Sequence, residues 1–133
     1  MENREAQIFW QLGEEGIAKL VASFYRRVRE DELIGPMYQD DWEGAERRLR
    51  DFLIFRFGGP QRYIEERGHP RLRMRHAPFA IGVAERDRWL ALMGEAMDET
   101  GVPESARGIL EPFFAQVAEF LRNREEHSEK LKS

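Results

Sequence analysis

His76 lies in the stretch of the chain whose residue types could best bind a metal cofactor, residues 69–82, HPRLRMRHAPFAIG. Pro70 suits the first turn of a helix, whereas Pro78 cannot continue one, so the pattern predicts that His76 ends a short, stiff helical segment. Apolar and cationic side chains surround it: Leu72, Met74, Phe79 and Ile81 with Arg71, Arg73 and Arg75. An imidazole can bind iron, apolar residues can pack against a porphyrin, and arginines can pair with its propionates, so the stretch suits a haem.

More ordinary roles for the three histidines also fit the residues. On the residues alone, a hydrogen-bonded structural histidine is the commoner role for a residue like His76. His69, which precedes Pro70, is interpreted as structural or as close to a propionate, and His127 belongs to a charged stretch that is expected to face solvent. A zinc site built from His69 and His76 is disfavoured because no third ligand stands at a suitable spacing.

The composition limits the classes of protein to which the chain could belong. A length of 133 residues predicts one domain over residues 1–133, with residues 1–13 as an N-terminal extension and residues 125–133 as a frayed tail. The net charge of −4 argues against a nucleic-acid partner, and the absence of cysteine excludes disulfides and thiolate-bound metals. No apolar run is long enough to cross a membrane, and the polar N-terminus does not look like a signal peptide. A cytoplasmic location without a membrane partner is therefore expected.

Helical spacing of apolar residues recurs along the chain, and no strand-like alternation bounded by turns appears. The pattern predicts helices over residues 5–12, 14–30, 43–57, 84–99 and from 103 or 104 to 124. Gly13 is expected to interrupt the first two, and Gly101 to cap the helix that precedes it. The predicted fold is all-α, with an irregular, proline-bounded segment between the second and third of its four substantial helices.

Three motifs resemble the truncated haemoglobins of the second group, which are compact two-over-two helical globins. The first motif is the Phe24-Tyr25 pair in LVASFYRRV, the second is FRFGGPQRYIEERGHPRLRMRHAPFAIG, and the third is RWLALMGEAMDETG. The match runs from about residue 16 to residue 121. The HPxLRxRHxPFxIG pattern is highly specific in its order and spacing. The resemblance implies an all-α, truncated globin-like sandwich of two helix pairs around haem b.

The resemblance also implies roles for individual residues. His76 matches the proximal iron ligand, and Tyr25, Tyr38 and Trp89 match residues of the distal pocket, where the gas binds. Ala45 and Leu49 match the two distal-helix positions that flank the ligand; vertebrate globins often place a histidine at the first. The residues expected to contact the haem are Leu49, Arg48, Phe52, Leu72, Arg75, Phe79, Ile81 and Met93. For Arg48 and Arg75, a propionate partner and a solvated charge are both left open.

The expected function is reversible binding of dioxygen, and by the same chemistry of carbon monoxide and nitric oxide. Tyrosine hydroxyls and an indole N–H can donate hydrogen bonds to the partly negative oxygen of such a ligand. One alternative is a haem redox enzyme with peroxidase-like or nitric-oxide-detoxifying turnover, which would need an external reductase. Another is a helical interaction module without a cofactor. The sequence leaves open whether the chain is a monomer or a homodimer.

Overall fold

The computed structural model describes residues 6–57 and 81–121, and within these ranges it is all-helical. Four α-helices follow one another: α1 (Ala6–Arg29), α2 (Trp42–Arg56), α3 (Val83–Thr100) and α4 (Glu104–Leu121). A single 3-10 turn, Gly35–Met37, lies between α1 and α2. The helices predicted within these ranges are confirmed, with ends that differ by a few residues, whereas the short helical segment predicted before His76 lies outside them. The predicted end of the last helix, residue 124, lies outside the described residues.

Gly13 breaks the regular geometry of α1, as the sequence predicts. Its φ of 68° and ψ of 176° are not helical, and this positive φ is readily adopted by glycine alone. The short segment before it is part of the core, because the side chain of Ile8 is fully buried. Gln11 also accepts a hydrogen bond from the Ser105 hydroxyl of α4 at 3.1 Å, which ties this segment to α4.

The central element of the fold is α1, which packs against α2, α3 and α4, while α3 also packs against α4. The predicted apolar stripe of α1 is buried along its whole length; its members are Ile17, Leu20, Val21, Phe24 and Val28. Burying a side chain of this size contributes about 1.5–3 kcal/mol relative to leaving it exposed. The stripe therefore fixes which side of α1 faces the other helices, and Tyr25, next to Phe24, is carried inward with it.

The start of α2 is held by Asp41, whose carboxylate accepts a hydrogen bond from the Gly44 backbone N–H at 2.9 Å. This is the usual way in which an N-cap residue satisfies one of the free donors at a helix start. Gly44 is buried, and a β-carbon at this position would overlap the Asp41 carboxylate. The glycine is therefore needed for the cap that begins the helix carrying Ala45 and Leu49.

Gly44→Ala is expected to lower the free energy of unfolding by about 0.5–2 kcal/mol, because the Asp41 carboxylate must move away from the N–H that it caps. Urea denaturation followed by circular dichroism measures the change. Gly108→Ala is the matched control, since a β-carbon at Gly108 in α4 meets nothing within 4 Å. Alanine there should leave stability unchanged or raise it by up to about 1 kcal/mol. Equal effects of the two substitutions would contradict the cap.

A polar cluster joins α1 to α3 at the edge of the core. The Ser23 side chain is buried, and its hydroxyl donates to the Glu99 carboxylate at 2.5 Å. The guanidinium of Arg27 donates to both Ser23, at 2.7 Å, and Glu99, at 2.9 Å, and Arg26 also pairs with Glu99. Glu95 is 3.4 Å from Arg27. The Ser23 hydroxyl and the two arginines lower the pKa of Glu99 from 4.5 to about 2.

Glu99→Gln is expected to lower the melting temperature at pH 7, because the Ser23 hydroxyl and two arginines lose an anionic partner. A carboxyl whose folded pKa is depressed contributes stability above its ordinary pKa of 4.5, and that stability is lost as the pH falls towards about 2. The difference in melting temperature between wild type and variant should therefore narrow below pH 4.5. Thermal denaturation across the pH range, with the exposed Glu30→Gln as control, measures it. A difference that is the same at pH 7 and pH 3 would contradict this role.

Candidate distal ligand pocket

Tyr25 lies on α1 among the buried residues of the core, with 4% of its surface exposed. Its ring makes edge-to-face contacts with Phe24, at 5.0 Å between centroids, and with Tyr38, at 5.4 Å. Burial raises the pKa of Tyr25 well above 10, the neighbouring Tyr38 raises it further, and the positive charge of Arg48 acts in the opposite direction. The hydroxyl is therefore protonated at any physiological pH and can donate a hydrogen bond.

Tyr38 and Trp89 bring two more polar hydrogens to the same place. Tyr38 follows the 3-10 turn, and burial raises the pKa of its hydroxyl to about 12, although the Trp89 indole N–H, as a donor to that hydroxyl, partly offsets the effect. Trp89 lies on α3 and is held edge-to-face by Phe24, at 5.0 Å, and by Phe114 of α4, at 5.6 Å. Three elements thus place two hydroxyls and one indole N–H in one aromatic cluster.

Apolar residues of α2 and α3 stand beside this cluster. Ala45, Leu49 and Phe52 follow one another at helical spacing on one face of α2; Ala45 and Phe52 are buried and Leu49 is half-buried. Met93 lies one turn after Trp89 on α3 and is fully buried, and Ile81, just before α3, is 6% exposed. These residues therefore belong to the buried core or pack against it, and their contact with a haem stays a prediction.

A small pocket opens beside Tyr38 and Trp89. It is lined by Ile34, Met37, Tyr38, Ile81, Glu85, Arg86, Trp89 and Ala118. Three of these residues were expected at the site. The others come from the 3-10 turn, the first turns of α3 and the end of α4. Arg86 pairs with Glu119 of α4 at 2.5 Å and with Asp87 at 3.0 Å, so its charge is compensated.

The bacterial-like globin family matches this chain over residues 7–123. The chain belongs to that family. Among curated relatives, it is 41% identical over 99 residues to the group 2 truncated hemoglobin YjbI of Bacillus subtilis, covering 74% of this chain and 75% of the relative. It is also 30% identical over 128 residues to the two-on-two hemoglobin-3 of Arabidopsis thaliana, covering 88% and 69% respectively.

Solved globin structures share the same arrangement of helices. The hemoglobin of Chloroflexus aurantiacus is 47% identical with a TM-score of 0.84, covering 88% of this chain and 98% of that one. The truncated oxygen-avid haemoglobin of Bacillus subtilis is 37% identical with a TM-score of 0.83, covering 87% and 98%. These comparisons confirm the predicted group II truncated haemoglobin and its two-over-two fold. Membership of this family implies a haem and binding of a diatomic gas.

The described residues of this globin fit a haem on the side that would face the gas. The apolar face of α2 and the buried residues Met93 and Ile81 can pack against a flat macrocycle, and Ala45 leaves room beside it. The hydroxyls of Tyr25 and Tyr38 stay protonated, and the Trp89 indole can only donate, so the polar groups present are the donors that a partly negative ligand requires. Within the described residues, no group of three or more histidine, cysteine, aspartate and glutamate side chains could hold a metal ion by itself.

Four of the predicted haem contacts lie outside the described residues: His76, Leu72, Arg75 and Phe79. His69 lies outside them too. The remaining basic residue, Arg48, has a side chain that is 39% exposed and lies 3.5 Å from the Asp41 carboxylate. Its pairing with a propionate stays a prediction. In the described part of the chain, no helix is long and apolar enough to cross a membrane.

Five residues lining the pocket were missed by the sequence reasoning: Ile34, Met37, Glu85, Arg86 and Ala118. Ile34 is fully buried and follows the end of α1, where the pattern predicts only a stop. Glu85 and Arg86 look like ordinary surface charges, and Glu85 does cap its own helix by accepting from the Gly82 N–H at 2.8 Å. Both residues lie at the pocket because of the way α3 packs against α4. The local sequence does not predict that packing.

Proposed function

We propose that this globin binds haem b through His76 and holds dioxygen reversibly on the side of Tyr25, Tyr38 and Trp89. The observation that supports it is the convergence of three hydrogen-bond donors from α1, the 3-10 turn and α3 beside one apolar wall. Ferrous haem supplies reversible binding of a diatomic gas and leaves partial negative charge on its outer atom. Carbon monoxide and nitric oxide are expected to bind at the same place.

The chain's own residues would select and retain the ligand. Tyr25 and Tyr38 present hydroxyls whose raised pKa values keep them as donors. The Trp89 indole N–H, which donates to the Tyr38 hydroxyl in this structure, would add a third by donating to the ligand instead. Each hydrogen bond made in a dry pocket contributes about 1 kcal/mol. Ala45, on α2, has no polar side-chain atom that could bind the ligand. Tyr25, Tyr38 and Trp89 would therefore retain it. This agrees with the words "oxygen-avid" in the name of the related Bacillus subtilis structure.

A redox enzyme with peroxidase-like or nitric-oxide-detoxifying turnover is the competing function. General acid–base catalysis is most efficient with a group whose pKa lies near the working pH. Both tyrosines of the cluster have pKa values raised above 10, and an indole does not titrate, so these donors suit holding a ligand better than moving its protons. The raised pKa values therefore favour ligand binding over peroxidase-like turnover.

Cycles of reduction, oxygenation and removal of oxygen under argon, followed by absorption, test the proposal. We expect the oxygenated and deoxygenated spectra to alternate over several cycles. Turnover of peroxide with a reductant, or consumption of nitric oxide, is measured in parallel. Irreversible oxidation in the first cycle together with sustained turnover would favour the enzyme instead.

Several wider expectations belong to the same proposal. These are a single domain over residues 1–133 with residues 125–133 as a tail, a cytoplasmic location, a role in oxygen transport and, for the enzymatic alternative, an external reductase. The proposal involves no nucleic-acid or membrane partner. A monomer and a homodimer are equally compatible with it.

A further inference from the structure

Asp31 holds the connection that leads from α1 to Tyr38. The Oδ2 atom of its carboxylate accepts hydrogen bonds from the backbone N–H groups of Leu33, at 3.1 Å, and Ile34, at 3.0 Å. Its backbone carbonyl accepts from the Gly35 N–H at 3.1 Å, and the Gly35 carbonyl in turn accepts from the Tyr38 N–H at 3.0 Å. A continuous series of hydrogen bonds therefore runs from Asp31 to Tyr38.

This connection, residues 31–38, lies close to both α1 and α3. Gly35 is needed where it approaches α1, because a β-carbon there would lie 2.8 Å from the Val28 carbonyl oxygen. On α3, the Arg88 Nη1 atom lies 3.4 Å from Asp31 Oδ1, and the Asp31 side chain is only 9% exposed. The connection is therefore packed against the end of α1 and is tied to α3 through one nearly buried carboxylate.

The connection meets α3 beside the distal pocket. Arg88, the partner of Asp31, directly precedes Trp89 in the sequence. Ile34, whose side chain is 1% exposed, and Tyr38 line the small pocket together with Trp89. A change in how the connection lies against α3 would therefore move the Tyr38 ring relative to Trp89.

We propose that Asp31 is a positioning residue for the bound gas: it orders residues 31–38, ties them to α3 and so holds the Tyr38 hydroxyl where it can donate to the ligand. The proposal rests on the proposed function, since the ligand binds at the haem. Hydrogen bonds from backbone N–H groups to a carboxylate are charge-assisted and strong. The ion pair is weakened by solvent, because the Arg88 side chain is 51% exposed. The position of Tyr38 should therefore depend more on the backbone hydrogen bonds than on the ion pair.

Three substitutions separate these two contacts of Asp31. Asp31→Asn can keep both backbone hydrogen bonds, because a single oxygen accepts them, and it loses only the attraction to Arg88. Arg88→Gln removes the same attraction from the other side. Asp31→Ala removes both kinds of contact. Glu32→Ala and Glu32→Gln change the neighbouring exposed carboxylate in the same two ways and are the matched controls.

Release of dioxygen from the oxygenated holoprotein is measured by stopped-flow mixing with dithionite. Asp31→Ala should speed it by about fivefold, the factor expected for the loss of about one hydrogen bond to the ligand. Asp31→Asn and Arg88→Gln should each speed it by about twofold, because they remove the same partly exposed ion pair. The two Glu32 variants should keep the wild-type rate. In a Tyr38→Phe background, Asp31→Ala should add less than about 1.5-fold, because the hydroxyl that Asp31 positions is gone.

A second readout does not depend on release of the gas. In the ferrous form saturated with carbon monoxide, amide hydrogen exchange measured by NMR should be at least about tenfold faster at Ile34 and Tyr38 in Asp31→Ala than in wild type. In the same form, the infrared C–O stretching frequency should shift in Asp31→Ala in the same direction as in Tyr38→Phe. If Asp31→Ala does not fold, Asp31→Asn and Arg88→Gln are compared with Tyr38→Phe in the same way.

Three results would overturn the proposal. The first is dioxygen release at the wild-type rate in all Asp31 and Arg88 variants that fold. The second is an effect of these variants that persists undiminished in the Tyr38→Phe background. The third is an equal acceleration of carbon monoxide release, which would indicate a loosened pocket. A wild type that binds no haem would instead overturn the proposed function.

Discussion

His76→Gly should yield a protein that retains little haem, and its affinity for hemin should fall by about a hundredfold or more. Loss of a group that merely orients a metal ligand already costs about 10–100-fold in affinity, so loss of the ligand itself should cost at least as much. His76 stands between Pro70 and Pro78 in a motif that resembles the truncated haemoglobins, and it is the residue on which the proposed cofactor binding depends. Hemin titration followed at the Soret band measures the change.

His69→Gly is the matched control for this experiment. It removes the other histidine of the same stretch, which is interpreted as structural or near a propionate. It should retain most of the hemin affinity. Addition of free imidazole should restore much of the wild-type spectrum to the His76 variant, because the small molecule can supply the missing nitrogen ligand. If the His76 variant keeps wild-type affinity and spectrum, the assignment of the proximal ligand is wrong.

Tyr25→Phe and Trp89→Phe should each speed the release of dioxygen by about five- to tenfold. Each removes one donor to the ligand, worth about 1 kcal/mol or slightly more, and about 1.4 kcal/mol corresponds to a factor of ten in rate. The double variant should release dioxygen about 25- to 100-fold faster if the two donors act independently. Stopped-flow mixing of the oxygenated protein with dithionite measures these rates.

Two controls distinguish a lost hydrogen bond from a loosened pocket. Carbon monoxide carries less negative charge than dioxygen, so its release should change much less in the same variants. Trp42→Phe removes an indole from the first turn of α2, where the ring is half-buried against the guanidinium of Arg29, and should leave the dioxygen rate unchanged. Equal acceleration for both gases, or unchanged rates in Tyr25→Phe and Trp89→Phe alike, would refute the donor role.

The helices could be predicted from the sequence because their apolar residues repeat at helical spacing. The stripe of α1 through Leu20 and Phe24 is buried as expected, and Gly13 and Gly101 interrupt or end helices where their positive φ is observed. Such local features depend on residues close together in the chain. These features can therefore be predicted without knowing how the helices pack.

The meeting of Tyr25, Tyr38 and Trp89 could be predicted only through the resemblance to a known family. The three residues belong to different elements, and periodicity predicts which face of a helix is buried but not which faces meet. The same limit explains two contacts that were not predicted. Ser23 is joined to Glu99 across α1 and α3, and the side chains of the pocket beside Trp89 come from three separate segments.

The absorption spectrum of the purified wild-type protein, reconstituted with hemin where necessary, tests the central claim most directly. It is recorded as isolated, after dithionite, and after oxygen is admitted. We predict a Soret band that shifts on reduction, shifts again with oxygen and returns when oxygen is removed. A protein that stays colourless after incubation with hemin would contradict this account.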